Sequence, residues 1–345
     1  MKFSIATFNV ENLITAEKPI YKDTRPRYTQ EQYTLKVAWV REQLLKMDAE
    51  VIGFQEVFEE QALLDCIAGT RYENAHIFVA KPNGIRPVNA ILSTFPIVNA
   101  RLVEEIPSEF LFFDEEKIEQ VLESTRIPIP IKRFSRGVLR AELQVSNTLS
   151  VLVYVLHLKS KRPILPEDLD RDEATYTDIA KGSIRSLLRR GVEACGVRQL
   201  LSDDISLNED RPIFVLGDLN DSDTAVTNQA ITGEPPYHRL PDDVRFDKWK
   251  YVFHNCKYIQ ARKSIENYHY TYIHNGHYES LDNIFVSNHF ADLNKSKTGR
   301  IMDVRLYNDH IIDKTISMDK KPFHVSDHGQ VVANIHLFDN NMTPY

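Results

Sequence analysis

The chain has 345 residues, 42% hydrophobic and 26% charged, with a formal net charge of −7. That length and balance suit a soluble globular protein with either one large core or two ordinary ones. The net negative charge argues against coating nucleic acid through the whole surface, although it leaves room for a local basic groove.

The opening, MKFSIATFNVEN, has one Lys and then a strand-like run, with no long apolar core or small-residue cleavage site. No uninterrupted apolar stretch approaches membrane-spanning length. A cytoplasmic protein without stable membrane association is therefore expected, and Cys66, Cys195 and Cys256, far apart and without metal spacing, read as reduced structural thiols. A strand over 3–9 is followed by a polar loop up to Thr29. Thr29 and Gln32 fit a capping box, and Tyr33, Val37, Val40 and Leu44 recur at helical spacing, which predicts a helix over 30–47. A strand over 51–54 ends in Gln55-Glu56, and a second helix covers about 59–68. Strands follow near 75–80, 88–93, 97–104, 137–145 and 149–157. Excursions at about 106–135 (with a short helix at 115–123) and 163–178 interrupt the pattern. A basic helix is expected around 179–201, then a strand at 212–217, a helix near 224–231 and a Pro-rich loop at 234–243. Later strands lie near 270–274, 283–287, 300–307 and 328–337. The whole, residues 1–345, reads as a single large α/β domain with two packed sheets.

Polar groups recur where apolar strands end. Ile213-Phe214-Val215-Leu216 runs into Gly217-Asp218-Leu219-Asn220-Asp221, where open α/β sheets tend to hold ligands. Asp221 or Ser222 is expected to cap the helix that follows. Asn9 follows the first strand, Glu56 the second, and His157 the strand 151–156. Asp282 precedes Ile284-Phe285-Val286, and Asp327-His328 precede Val331-Val332. Singly, each reads as a turn former or a satisfied core group. Together they supply hard oxygen donors, two histidines and a base, the inventory for metal-assisted phosphoryl chemistry.

The ordered set TFNVEN (7–12), FQE (54–56), VLHLKSK (155–161), GDLND (217–221), LDNIFVS (281–287) and SDH (326–328) resembles the endonuclease/exonuclease/phosphatase superfamily. That superfamily includes pancreatic-type deoxyribonuclease, abasic-site endonucleases, sphingomyelinases and inositol-phosphate phosphatases. The resemblance implies a four-layer α/β sandwich, two mixed sheets flanked by helices. It implies Glu56 as principal metal carboxylate, helped by Asn9 and Asp327, with Mg²⁺ or Mn²⁺ as the ion. Asp218 is then the base for the attacking water and Asn220 places phosphate or water. His157 and His328 donate to the phosphate oxygens, and Asp282 supports protonated His328. The Gly-Asp-x-x-Asp pattern also occurs in calcineurin-like metallophosphatases, but their Asp-x-His and Gly-Asn-His segments are not present here.

The residues HLKSKR at 157–162, RGVL at 136–139 and SLDNIFVS at 280–287 look like bacterial nuclease-type members, so nucleic acid is the expected substrate. A phospholipid or a phosphomonoester is the alternative substrate, and a non-catalytic binding module the alternative class. Positive residues cluster between Arg126 and Arg198. Of these, Lys159, Lys161, Arg162 and Arg136 are the expected phosphate-backbone contacts, while the helix carrying Arg185, Arg189, Arg190 and Arg198 reads as a solvated basic face. The tract Tyr268–Tyr278, with His269, His274 and His277, reads as a hairpin in preference to a zinc site. The tyrosine that some nuclease members place beside the scissile phosphate has no assigned counterpart, and Asn89 stands where a small residue is often found.

Overall fold

The computed structural model describes residues 1–21, 26–107, 131–167, 169–236, 239–261, 269–274, 276–291, 294, 297–317 and 319–338. In chain order the first elements are β1 (Lys2–Leu13), α1 (Gln30–Met47), β2 (Val51–Val57), α2 (Glu60–Ile67), β3 (His76–Val79), β4 (Val88–Ser93), β5 (Ile97–Glu105), β6 (Arg133–Ser146) and β7 (Leu149–His157). There follow α3 (Tyr176–Leu207), β8 (Ile213–Asp218), α4 (Val226–Thr232), α5 (Asp242–Trp249), β9 (His254–Asn255) and α6 (Cys256–Ala261). The last are β10 (Tyr272–His274), β11 (His277–Glu279), β12 (Asp282–Val286), β13 (Gly299–Tyr307) and β14 (Gln330–Leu337). The short helix expected at 115–123 lies outside the described residues.

Among the described residues the strands form two six-stranded sheets, ordered β13-β14-β1-β2-β4-β3 and β5-β6-β7-β8-β12-β9, and a small β10–β11 hairpin. Each large sheet has one parallel pair, β1 with β2 and β7 with β8, and its other neighbours are antiparallel. The expected sandwich of two mixed sheets flanked by helices is the observed architecture.

Alternation along the strands builds the layers. Ile5, Val51, Ile91, Val153, Leu216 and Val331 fill the space between the sheets. Ala6, Phe8, Ile52 and Phe54 point the other way and receive Val37, Val40 and Leu44 of α1. On the opposite side Leu152, Tyr154 and Val215 receive Val192, Val197 and Leu201 of α3. Both faces of the central strands are covered, which is why they read as continuous apolar runs. The sheets approach closely at Gly53, where a Cβ would stand 2.1 Å from Leu216 Cδ1. Nearby, buried Asn89 ties the sheets together, its Nδ2 donating to Gly137 O at 2.9 Å and Val155 O at 3.2 Å.

The Thr29–Gln32 capping box is present at α1. A second box, Thr175 with Asp178, starts α3 three residues earlier than expected, and the helix continues to Leu207. The 234–243 loop ends in α5, whose N-cap is Pro241. The expected cap of α4 is corrected. Its N-cap is Ala225 with no side-chain bond, because Asp221 is held by Arg190 Nε at 2.9 Å and Thr227 Oγ1 at 2.8 Å. Among the described residues no helix is long and apolar enough to cross a membrane.

Candidate active site

The two parallel pairs end on the same edge of the sandwich, and the antiparallel strands β12 and β14 begin there. Register fixes the neighbours: His157 is opposite Asp218 in the β7–β8 ladder, and Asp282 is opposite Asp218 in the β12–β8 ladder. Gly217 makes the close approach possible. Its φ is +144°, and a Cβ there would lie 2.0 Å from Leu156 O, so only glycine fits.

Asp218 is buried and surrounded by polar groups. Its Oδ2 accepts from Asn9 Nδ2 at 3.1 Å and lies 3.4 Å from His157 Nε2 and 3.8 Å from His328 Nε2. Its Oδ1 accepts from the Asn220 backbone N–H at 2.9 Å. Burial pushes the Asp218 carboxyl up to about 7; Asp282 adds to this, and His328 opposes it. His328 Nδ1 donates to Asp282 Oδ2 at 2.8 Å. Burial alone would lower the His328 pKa, but the Asp282 and Asp218 carboxylates outweigh it and hold the imidazole well above its ordinary value. His157 goes the other way: burial, then Arg136 and His328, keep it well below the usual range. The edge therefore pairs a neutral imidazole with a cationic one around a carboxyl near its titration point.

Loop contacts hold the constellation. Asn220 sits at φ +54° and donates through Nδ2 to Leu158 O at 3.0 Å. Thr271 Oγ1 accepts from the backbone N–H groups of Leu281 and Asp282, both at 3.0 Å. Ser326 Oγ donates to Asn9 O at 2.8 Å and accepts from His328 N–H at 3.0 Å, which ties the SDH turn to β1.

Asn9, Glu56 and Asp327 occupy the same edge. Asn9 Oδ1 accepts from Glu11 N–H at 3.1 Å, and Glu56 Oε2 accepts from Asn12 N–H at 3.1 Å. Glu11, Asn12 and Glu56 all adopt positive φ, at 49°, 59° and 64°, strain of the kind that clusters at functional sites. Glu11, a residue within TFNVEN that the sequence reading left without a role, joins this edge. Its Oε2 meets Lys321 Nζ at 2.5 Å and the Asp327 N–H at 3.1 Å. Amide and carboxylate oxygens without thiolate suit a hard divalent cation such as Mg²⁺ or Mn²⁺. Asp218, Asp282 and His328 are, among the described residues, the grouping of three whose ligand atoms lie within 4.8 Å of one another. Asp282 and His328 are already bonded to each other. Within the histidine tract, His274 lies opposite His277 in the β10–β11 hairpin, and His269 precedes β10.

The basic residues differ in what they do. Lys159 Nζ donates to Ser160 O at 3.1 Å and Arg162 O at 3.1 Å, closing its own loop. Lys161 Nζ pairs with Glu279 at 2.8 Å, Arg136 Nη1 donates to Leu158 O at 3.3 Å, and Arg162 is exposed. The reading of the basic helix as a solvated face needs correction at Arg190, which is buried and holds Asp221 and Lys159 O, the latter at 3.2 Å. Buried Glu193, a turn further on, accepts from Lys159 N–H at 2.8 Å and Ser135 N–H at 2.7 Å. Beside the edge lies a cleft of about 440 Å³ lined by Tyr272, His274, Ile311, Lys321 and Asp327, among others. The Tyr272 ring is 5.0 Å from that of His328; the sequence offers it only as one of the hairpin's aromatics, facing either core or substrate.

Comparison with known proteins bears on the fold and the family. No curated protein sequence matches the chain. Among solved structures, D. rerio TDP2 complexed with a single-strand DNA product is 14% identical over 97% of this chain and 99% of its own, with a TM-score of 0.54. The human Nocturnin catalytic domain with bound sulfate is 14% identical over 98% and 94%, with a TM-score of 0.53. An endonuclease/exonuclease/phosphatase from Bacteroides vulgatus is 12% identical over 98% and 100%, with a TM-score of 0.54. At such identities the likeness speaks for the fold. The profile of the Endonuclease/Exonuclease/phosphatase family matches residues 6–328, from within β1 to the histidine of SDH, and the chain belongs to that family of phosphoester hydrolases.

Proposed function

We propose that the protein is a divalent-metal-dependent phosphodiesterase that cleaves a nucleic-acid backbone with an activated water, and that residues 1–345 work as one domain. The observation that carries this reading is the surroundings of Asp218: a buried carboxyl near pKa 7, touched by Asn9, with His157 and His328 on either hand. Asp218 Oδ2 takes a proton from water as the oxygen attacks phosphorus, and the bond to the leaving ester oxygen breaks. Asn220 holds the Asp218 loop, and its side chain places the water or phosphate. His157 and the His328 imidazolium donate to the non-bridging oxygens as negative charge builds on them. Asp282 keeps His328 protonated and oriented.

Glu56, Asn9 and Asp327 are the residues that would hold Mg²⁺ or Mn²⁺. Such an ion supplies charge stabilisation on the phosphoryl oxygens when bound. Arg136, Lys161 and Arg162 line the approach for the backbone, and Lys159 acts chiefly by shaping that loop. Nucleic acid is preferred over lipid or phosphomonoester because these cations flank the edge and because TDP2, a structural neighbour, is recorded with a single-strand DNA product.

The test is nicking of supercoiled plasmid with Mg²⁺ or Mn²⁺, with Asp218→Asn alongside. Cleavage by wild type and not by the variant supports the proposal. No cleavage of plasmid, single-stranded DNA or RNA with either ion sinks the nuclease reading, and release of phosphate from a monoester would move the substrate class.

A further inference from the structure

A buried charge lies behind the acidic edge. Lys36 falls on the inner face of α1 among Tyr33, Val37 and Val40 and is fully buried. A helix that needed only an apolar face would carry an aliphatic side chain there. Its Nζ has no hydrogen-bond partner among the described residues, and the ring of Trp39 lies 5.5 Å away. Burying an ammonium group without hydrogen bonds costs several kcal/mol, so something nearby must offset it. The acids that act on Lys36 are Glu11 and Asp327, both of the metal edge, together with weaker help from the Trp39 face.

Lys321 approaches the same carboxylate from the outside. Its Nζ bonds Glu11 Oε2 at 2.5 Å and Val325 O at 2.7 Å. Glu11 is therefore paired directly with Lys321 and in turn fixes the Asp327 backbone at 3.1 Å, while the buried Lys36 charge acts on it through space. Beside the Asp218 and Asp282–His328 group, Glu11, Glu56 and Asp327 bring three further carboxylates to the proposed metal position. Lys36 and Lys321 cancel two of them, and what remains suits one divalent ion facing a phosphodiester anion. Without the lysines the same carboxylates would stay negative after a first ion had bound.

We infer that Lys36 and Lys321 are built-in counter-cations that limit the acidic edge to a single divalent ion and fix Glu11 against the Asp327 turn. The inference rests on the proposed metal site, and both lysines are positioning residues that act through Glu11. Binding is read without turnover, by Mn²⁺ titration followed by the loss of free-ion paramagnetic signal.

Wild type takes up a single Mn²⁺. Lys36→Met tightens that ion by about tenfold through loss of a nearby positive charge, and Lys36→Met with Lys321→Met admits a second ion. If Lys36→Met does not fold, as judged by circular dichroism and melting, Lys321→Met alone must still tighten the ion. Two ions in wild type, or a single ion of unchanged or weaker affinity in the folded variants, overturns the inference and leaves the metal reading intact. No Mn²⁺ bound by wild type removes the proposed metal site, and the inference falls with it.

Discussion

Asp282 and Asp218 are direct partners across the β12–β8 ladder, yet only Asp282 makes a hydrogen bond to His328. The imidazole lies at 2.8 Å from one carboxylate and 3.8 Å from the other. One strand pair thus separates two acids chemically: Asp282 has a fixed cationic partner, while Asp218 Oδ2 faces Asn9 Nδ2 and the His157 ring.

This separation sets the pH dependence. Burial raises Asp218 to about 7, and in the proposed role of base it must be ionised to accept a proton. Activity at saturating metal is therefore expected to fall about tenfold per pH unit on the acid side of that value. His328 is held well above its ordinary pKa and must keep its proton, so the profile also falls in the alkaline range. A kcat profile flat from about pH 5 to pH 8 would remove Asp218 from the role of base.

Asp282→Asn tests the other half of the relay. The amide cannot stabilise the imidazolium, so His328 loses its proton at lower pH and loses its orientation. The expected result is a drop in kcat of about a hundredfold or more, with the alkaline limb moved toward neutrality. Unchanged kcat would mean that Asp282 serves only the strand ladder. A smaller kcat with an unmoved limb would mean that it orients the ring and does not set its charge.

The strand ends were legible because short apolar runs stop at Asn9, Glu56, His157 and Asp218, and period and turn chemistry are local properties. The α1 helix was legible for the same reason, from Thr29 to Met47. What escaped depends on distance along the chain. Glu193 bonds Ser135 and Lys159, 58 and 34 residues away, and nothing near position 193 announces it. Tyr272 reaches His328 only because the β10–β11 hairpin folds beside the SDH turn. Lys36 did carry a local signal, a lysine on the apolar face marked by Tyr33, Val37 and Val40, and that mismatch was readable in advance.

The Glu193 contact predicts a variant with a specific failure. Gln at 193 keeps the shape but turns one carboxylate oxygen into an NH₂ group, which faces a backbone N–H of Ser135 or Lys159. Stability should fall by about 1–3 kcal/mol, the cost of a buried donor left without an acceptor. The 157–162 loop would shift with it, so kcat should fall while metal affinity stays. Thermal denaturation and Mn²⁺ titration check both parts, and an unchanged melting temperature would count against the contact.

A buried ion pair joins the outer face of the second sheet to α3. Arg140 on β6 makes two bonds of 2.7 Å to Asp204 on α3, and the Tyr154 hydroxyl donates to the same carboxylate. Burial pushes Asp204 up, but the bonds from Arg140 and Tyr154 outweigh it and leave the carboxyl below its ordinary value. A depressed folded-state pKa contributes stability above the unfolded value, near about 3.9, that is lost as pH falls through the folded one. Arg140→Met removes the two short bonds and leaves the buried Asp204 carboxylate with only the Tyr154 hydroxyl and Arg211, whose Nη2 is 3.8 Å away, a change that costs about 3 kcal/mol near neutrality. Without the Arg140 bonds burial weighs more heavily against Tyr154 and Arg211, so the folded pKa of Asp204 rises and protonation at lower pH relieves part of the defect. The stability gap between wild type and Arg140→Met should therefore narrow as pH falls from about 7 to about 5. Urea denaturation at the two pH values measures it. A gap that is small at neutrality, or that widens in acid, would show that the α3–β6 junction does not depend on this charge pair.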